Sequence, residues 1–98
     1  MVTQGEVINV GGIEAPVLVI SKNVYNESGA AIVCPIMNKK PKDILNVHIE
    51  TSVISGYVIC DEFKRINWKE RGAFSKGTVS PIKLFCVLDI VSALFDFV

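Results

Sequence analysis

No histidine pair, no CxxC spacing and no glycine-rich phosphate loop occurs in these 98 residues. The single histidine, His48, and the widely separated Cys34, Cys60 and Cys86 leave no set of side chains at zinc-ligand spacing. No metal site and no other cofactor is therefore expected. No apolar run approaches the roughly 20 residues that a helix needs to cross a bilayer, so no membrane association is expected. Charge of neither sign dominates: ten Lys and Arg face ten Asp and Glu. That balance excludes a whole-molecule field that would draw in nucleic acid or an anionic membrane, so any RNA contact must come from a local patch. The opening Met-Val-Thr-Gln-Gly-Glu lacks the basic and apolar regions of a signal peptide, and the expected location is the cytoplasm.

Apolar residues, by contrast, make up 50% of the chain and charged ones 20%. A chain of this length builds a single domain, here residues 1–98, around one modest core. The apolar surplus points to a homodimer that hides part of it. The three cysteines sit in apolar runs (Ile-Val-Cys, Val-Ile-Cys, Phe-Cys-Val) and read as buried, reduced thiols.

The densest apolar stretch runs from Pro16 to Ile36, two Val- and Ile-rich segments split by Asn26-Glu-Ser-Gly29. These are strands of a buried sheet. Pro16 fits a first strand residue, while Pro35, also without an amide donor, predicts a bulge or an edge. Before them, Gly5 to Val10 forms a strand and Gly11-Gly12 a tight reversal. Ser21 to Tyr25 has the makings of a helical turn capped by Ser21 or Asn23. Val47-His48-Ile49-Glu50 alternates with period two, Gly56 to Cys60 is apolar, Phe63 to Trp68 alternates weakly, and Lys76 to Val79 is a last short strand. Ser80-Pro81 then opens a helix, whose stripe is Leu84, Val87, Leu88, Val91, Leu94 and Phe95. Short strands followed by one helix imply a small, mostly antiparallel barrel closed by that helix.

Basic residues cluster in the loop at Lys39, Lys40 and Lys42, and again at Lys64, Arg65, Lys69 and Arg71. The second cluster interleaves with Phe63, Trp68 and Phe74. Aromatics stack bases and cations pair with phosphates, so single-stranded RNA is a candidate partner, against the simpler reading of a solvated charged face. His48, between Val47 and Ile49, reads as structural or surface-facing.

Several short segments, in order along nearly the whole chain, resemble the MazF/PemK family of toxins from bacterial toxin–antitoxin pairs. They include Gly5-Glu6-Val7, Pro16-Val-Leu-Val-Ile-Ser21, Ile32-Val-Cys-Pro-Ile36, Asn46-Val-His-Ile-Glu50 and Gly56-Tyr-Val-Ile-Cys-Asp61. Ile66-Asn-Trp68, Arg71-Gly-Ala73, Lys76-Gly-Thr-Val79 and Ala93-Leu-Phe-Asp-Phe97 continue the match. The resemblance implies a mostly β fold with α, an SH3-like small β-barrel of the MazF/CcdB type closed by a C-terminal helix. It also implies a homodimer that cleaves single-stranded RNA without a metal, as an mRNA interferase, and that a cognate MazE-like antitoxin blocks. Phe95 and Phe97 are candidates for the dimer interface.

The departures fall on the chemistry. The first loop is cut to Gly11-Gly-Ile-Glu-Ala15, so the family's arginine position reads Ala15. Its threonine, at the end of the following strand, reads Met37, and its Asp-Gln pair reads Asp61-Glu62. Glu14 is a stand-in for the loop glutamate. Asn38, Glu62 and Lys64 are the catalytic candidates; Ser21, Lys64 and Arg71 are the expected RNA contacts. Two readings follow: a toxin-type endoribonuclease with a weakened site, and an inactive module that still binds an antitoxin or RNA.

Overall fold

The computed structural model describes residues 1–42 and 45–95; Asp96 and Phe97, named above, lie outside them. The elements are β1 (Glu6–Val10), β2 (Val17–Val19), α1 (Asn23–Asn26), β3 (Ala31–Met37), β4 (Asn46–Glu50) and β5 (Ser55–Ile59), then β6 (Lys64–Ile66), α2 (Trp68–Arg71), β7 (Ala73–Thr78) and α3 (Pro81–Ala93). A 3₁₀ turn, Cys60–Glu62, joins β5 to β6. The strands form one curled antiparallel sheet in the order β4-β5-β3-β2-β1-β7, with β6 also on β3. Thr51, in the β4–β5 turn, donates its hydroxyl to the Lys76 carbonyl of β7 at 2.7 Å, which brings the two ends of the sheet together.

Alternation explains the two cores. On β3, Cys34 and Ile36 pack with Val7, Leu18, Ile49, Val58 and Val87. Ala31 and Val33 on the same strand pack with Ile8, Val17, Val19 and Ile66 on the other side. β3 is thus buried on both faces, as its uninterrupted apolar run predicts.

Pro35 is neither a bulge nor at an edge. β3 pairs β2 through Val17↔Pro35 and Val19↔Val33. Its opposite side is divided, with β6 on Ala31 to Val33 and β5 on Ile36 and Met37. Ile36 N–H donates toward β2, to the Pro16 carbonyl, so the missing amide of Pro35 falls on the divided side, between the two partners. No ladder bond is lost there. The register shift occurs instead where β7 faces β1, between the pairs Glu6↔Thr78 and Ile8↔Ser75.

Three local expectations change. α1 has no side-chain cap; Ser21 Oγ instead donates to Asn26 Oδ1 at 2.5 Å and accepts from Ile32 N–H at 2.9 Å, and Asn23 accepts from Gln4 N–H. The segment 63–68 yields β6 and then α2, which Asn67 caps by accepting from Glu70 N–H at 3.1 Å. Cys86 is exposed, whereas Cys34 and Cys60 are buried. Burial, reinforced by Cys60 and Asp61, pushes the Cys34 thiol up to about 12, so it remains a neutral, unreactive thiol.

α3 begins as its sequence dictates, with Ser80 Oγ accepting from Lys83 N–H and Pro81 in the first turn. It docks through Val87, fully buried, with Leu84, Leu88, Ile90 and Val91 packed against the first core. Leu94 and Phe95, assigned to the same stripe, are exposed beyond the last full turn, although the Phe95 ring meets Phe63 edge-on at 5.6 Å. Ile82, Phe85 and Cys86 face solvent.

Candidate functional site

Two facts of chain geometry make a pocket at the end of β3. Ile36 N–H donates to the Pro16 carbonyl at 3.0 Å, so the residues just beyond, Ala15 and Met37, flank one mouth. Gly56 lets β5 approach β3 there, because a Cβ on it would meet Ile36 Cγ2 at 2.6 Å and the Met37 carbonyl at 2.8 Å. The resulting pocket, about 410 Å³, is lined by Glu14, Ala15 and Pro16 from the β1–β2 loop, Ile36, Met37 and Asn38 from β3 and its end, and Ile54 and Ser55 from β5 and the turn before it. Its polar groups are one carboxylate, one carboxamide and one hydroxyl. No cation lines it.

Arg71 holds the loop side of this pocket in place. Its Nη1 donates to the Gly11 carbonyl at 3.1 Å, and Gly11 N–H donates to the Gly72 carbonyl at 3.2 Å. The approach needs glycine at position 11, where a Cβ would sit 2.3 Å from the Arg71 carbonyl oxygen. A shortened loop is thereby fixed at its base, with Glu14 and Ala15 presented to the pocket.

Of the catalytic candidates and expected RNA contacts, Asn38 alone lines the pocket, beside Glu14, the stand-in for the loop glutamate. Lys64 is exposed on β6, paired with Val33; that is four residues back from Met37, roughly 13 Å at about 3.3 Å per strand residue. Glu62 is exposed in the 3₁₀ turn alongside. Ser21 has its hydroxyl engaged by Asn26 and Ile32. Arg71 is exposed and turned to the β1–β2 loop. Trp68 is half-buried against the second core, and its indole N–H donates to the Asn26 and Ala30 carbonyls at 3.1 and 3.2 Å. Phe74 is exposed.

Sequence reasoning missed Ser55 and the surroundings of His48. β4 pairs β5 with His48 opposite Tyr57 and Glu50 opposite Ser55; Met37 is opposite Tyr57 on the far side. Val47 and Ile49 face the core, so His48 and Glu50 point outward. The imidazole and Tyr57 ring centroids are 5.0 Å apart, and His48 Nε2 lies 3.3 Å from Ser55 Oγ. The period-two pattern of β4, which turns His48 outward, was the available signal; the register that joins it to β5 was not. Among the described residues, no three His, Cys, Asp or Glu side chains gather as a metal-binding group.

A curled antiparallel sheet with a C-terminal helix docked across it is the architecture of MazF-like proteins of known structure. A family model described as PemK-like, MazF-like toxin of type II toxin–antitoxin system matches residues 9–95, and the chain belongs to that family. The endoribonuclease toxin MazF of Escherichia coli (strain K12) is 31% identical over 70 residues, which make up 70% of this chain and 63% of the E. coli protein. The chain matches less than two thirds of that relative's length. A MazE–MazF crystal structure from Deinococcus radiodurans superposes with a TM-score of 0.87 at 22% identity, over 95% of this chain and 94% of that one. An endoribonuclease in complex with its cognate antitoxin, from Mycobacterial species, gives 0.82 at 18% identity over the full length of both. At those identities the two structures establish the fold.

Proposed function

We propose that this chain is the toxin of a type II toxin–antitoxin pair, a cytoplasmic, metal-independent endoribonuclease of single-stranded RNA that a MazE-like antitoxin blocks. The observation that carries the reading is the pocket of about 410 Å³, built from the loop before β2 and the end of β3 and holding Glu14, Asn38 and Ser55. Cleavage of this type has the ribose 2′-hydroxyl attack the adjacent phosphate. It needs a base at the hydroxyl, an acid at the leaving oxygen and donors on the phosphate. Asn38 supplies a donor, and Lys64 and Arg71, outside the pocket, serve as contacts for the RNA backbone. The absence of a cation from the lining, with Ala15 and Met37 at the positions where the family resemblance implies arginine and threonine, makes the activity weak. The same observation favours a second reading, a module that binds an antitoxin or RNA without turnover.

Purified protein incubated with single-stranded RNA in a chelating buffer decides between them. Cleavage at discrete positions above a protein-free blank is the expected result. Intact RNA at high protein concentration, with the fold verified by circular dichroism, leaves only the binding module.

The protein acts as a homodimer in both readings. Ile82 and Phe85, on the solvent side of α3, are the apolar groups that a second copy would cover, and Cys86 lies on the same face. A thiol reagent is expected to modify Cys86 readily in dilute monomer and slowly at concentrations where light scattering reports a dimer. Cys34 and Cys60 react only on unfolding. Equal Cys86 labelling in both regimes would remove α3 from the interface.

A further inference from the structure

The pocket holds a hydroxyl that is backed by the chain's sole histidine, and no role has been assigned to either. Ser55 lines the pocket with Asn38 and Glu14, and His48 Nε2 lies 3.3 Å from its Oγ. Both side chains are exposed. The imidazole is held against Tyr57 on the neighbouring strand, which limits its rotation. Neutral, it accepts the Ser55 proton; protonated, it donates to the hydroxyl oxygen. A serine so placed passes a proton into the pocket and receives one from behind.

We infer that Ser55 is a catalytic residue of RNA cleavage in this pocket and that His48 is the positioning residue that orients it and replenishes its proton. The inference rests on the endoribonuclease reading. In the step, the 2′-oxygen forms a bond to phosphorus as the bond from phosphorus to the 5′-oxygen breaks. The 2′-hydroxyl proton passes to the Glu14 carboxylate. The departing 5′-oxygen takes the Ser55 proton as Ser55 takes one from the His48 imidazolium. The products are a 2′,3′-cyclic phosphate and a 5′-hydroxyl, and no oxidant, reductant or metal enters the balance. The pair thus supplies from β4 and β5 the hydroxyl and the cation that the pocket lacks at Met37 and Ala15.

Because the protonated ring is the form that donates to Ser55, kcat/KM is expected to fall with rising pH in the wild-type chain and not in His48→Gln. Among the described residues, few charged or titratable groups surround the ring. Glu50 is two residues along the same outward face, and Tyr57 is opposite on β5. α3, the other element against β4, packs on the Val47 and Ile49 side, so the sheet separates its Lys83 and Asp89 from the imidazole.

The test measures cleavage of a single-stranded RNA by the full chain and by Ser55→Ala, His48→Gln and their combination, across pH 5 to 9, with circular dichroism confirming the fold of each. Ser55→Ala is expected to lose about 10²–10³ in kcat, the usual worth of one such donor. His48→Gln is expected to lose at least about tenfold in kcat at unchanged KM, and to abolish the alkaline decline. The double variant is expected to be no worse than Ser55→Ala, as befits groups that act as a unit. A wild-type pH profile in His48→Gln, or wild-type rates in Ser55→Ala, overturns the inference while leaving the endoribonuclease reading intact. Absence of cleavage by the wild-type chain overturns both.

Discussion

Introducing arginine at Ala15 and threonine at Met37 together is expected to raise RNA cleavage by about 10² or more. The magnitude follows from what a single preorganised donor on a developing charge contributes, about 10²–10³ in rate. The geometry gives it a place to act. Ala15 and Met37 both line the pocket, one on either side of the bond between Ile36 N–H and the Pro16 carbonyl. Met37 is 49% exposed, so a smaller polar side chain there leaves no cavity in either core. A guanidinium at position 15 would lie near the Glu14 carboxylate and in reach of a phosphate in the pocket. Discontinuous RNA-cleavage assays on the wild-type chain, the two single variants and the double variant measure the gain. Unchanged cleavage in a folded double variant would mean that the pocket is not where RNA is cut.

The second large effect is on stability. Val87→Asp is expected to lower the melting temperature by at least about 15 °C or to prevent folding. Val87 is the fully buried residue of α3 and belongs to the first core. An unpaired carboxylate there costs about 3–5 kcal/mol against a total stability of about 5–15 kcal/mol, and each kcal/mol shifts a domain of this size by about 4–8 °C. Phe85→Asp, two positions earlier on the solvent side, is the control, and it should melt within a few degrees of wild type when both are compared at concentrations where light scattering reports only monomer. Thermal unfolding followed by circular dichroism checks both. Equal shifts would show that α3 is not docked through Val87.

Much of this architecture was legible because local pattern and tertiary environment agree. The Val- and Ile-rich runs on either side of Asn26 became β2 and β3, and Ser80-Pro81 started α3 where capping chemistry demands. The failures have physical causes. Pro35 looked like an edge because a proline removes a donor, yet β3 has different partners on the two halves of one side and the gap between them absorbs the loss. Cys86 looked buried because its neighbours are apolar, but α3 turns Ile82, Phe85 and Cys86 outward together. Ser21 resembled a cap, whereas a buried Asn26, which donates to the Ser21 carbonyl and accepts from its hydroxyl, captured it. At the site, the family resemblance pointed to Ala15 and Met37, with Asn38 beside them, and all three line one pocket. The sequence could not reveal Ser55 behind His48, because that proximity depends on strand register.

Arg71 and Gly72 grip the loop from Gly11 to Ala15 across sixty residues of sequence, and β1 pairs with β7 over a similar span. Contacts that distant must overcome a large loop-closure entropy before they contribute. During synthesis, then, residues 14 to 55 leave the ribosome well before the segment that holds their pocket together. A nascent chain cannot present the finished pocket until Arg71 and β7 have emerged, by which time nearly all of the domain is available to fold. Late assembly of this kind makes the pocket a property of the completed sheet and of no shorter stretch of the chain.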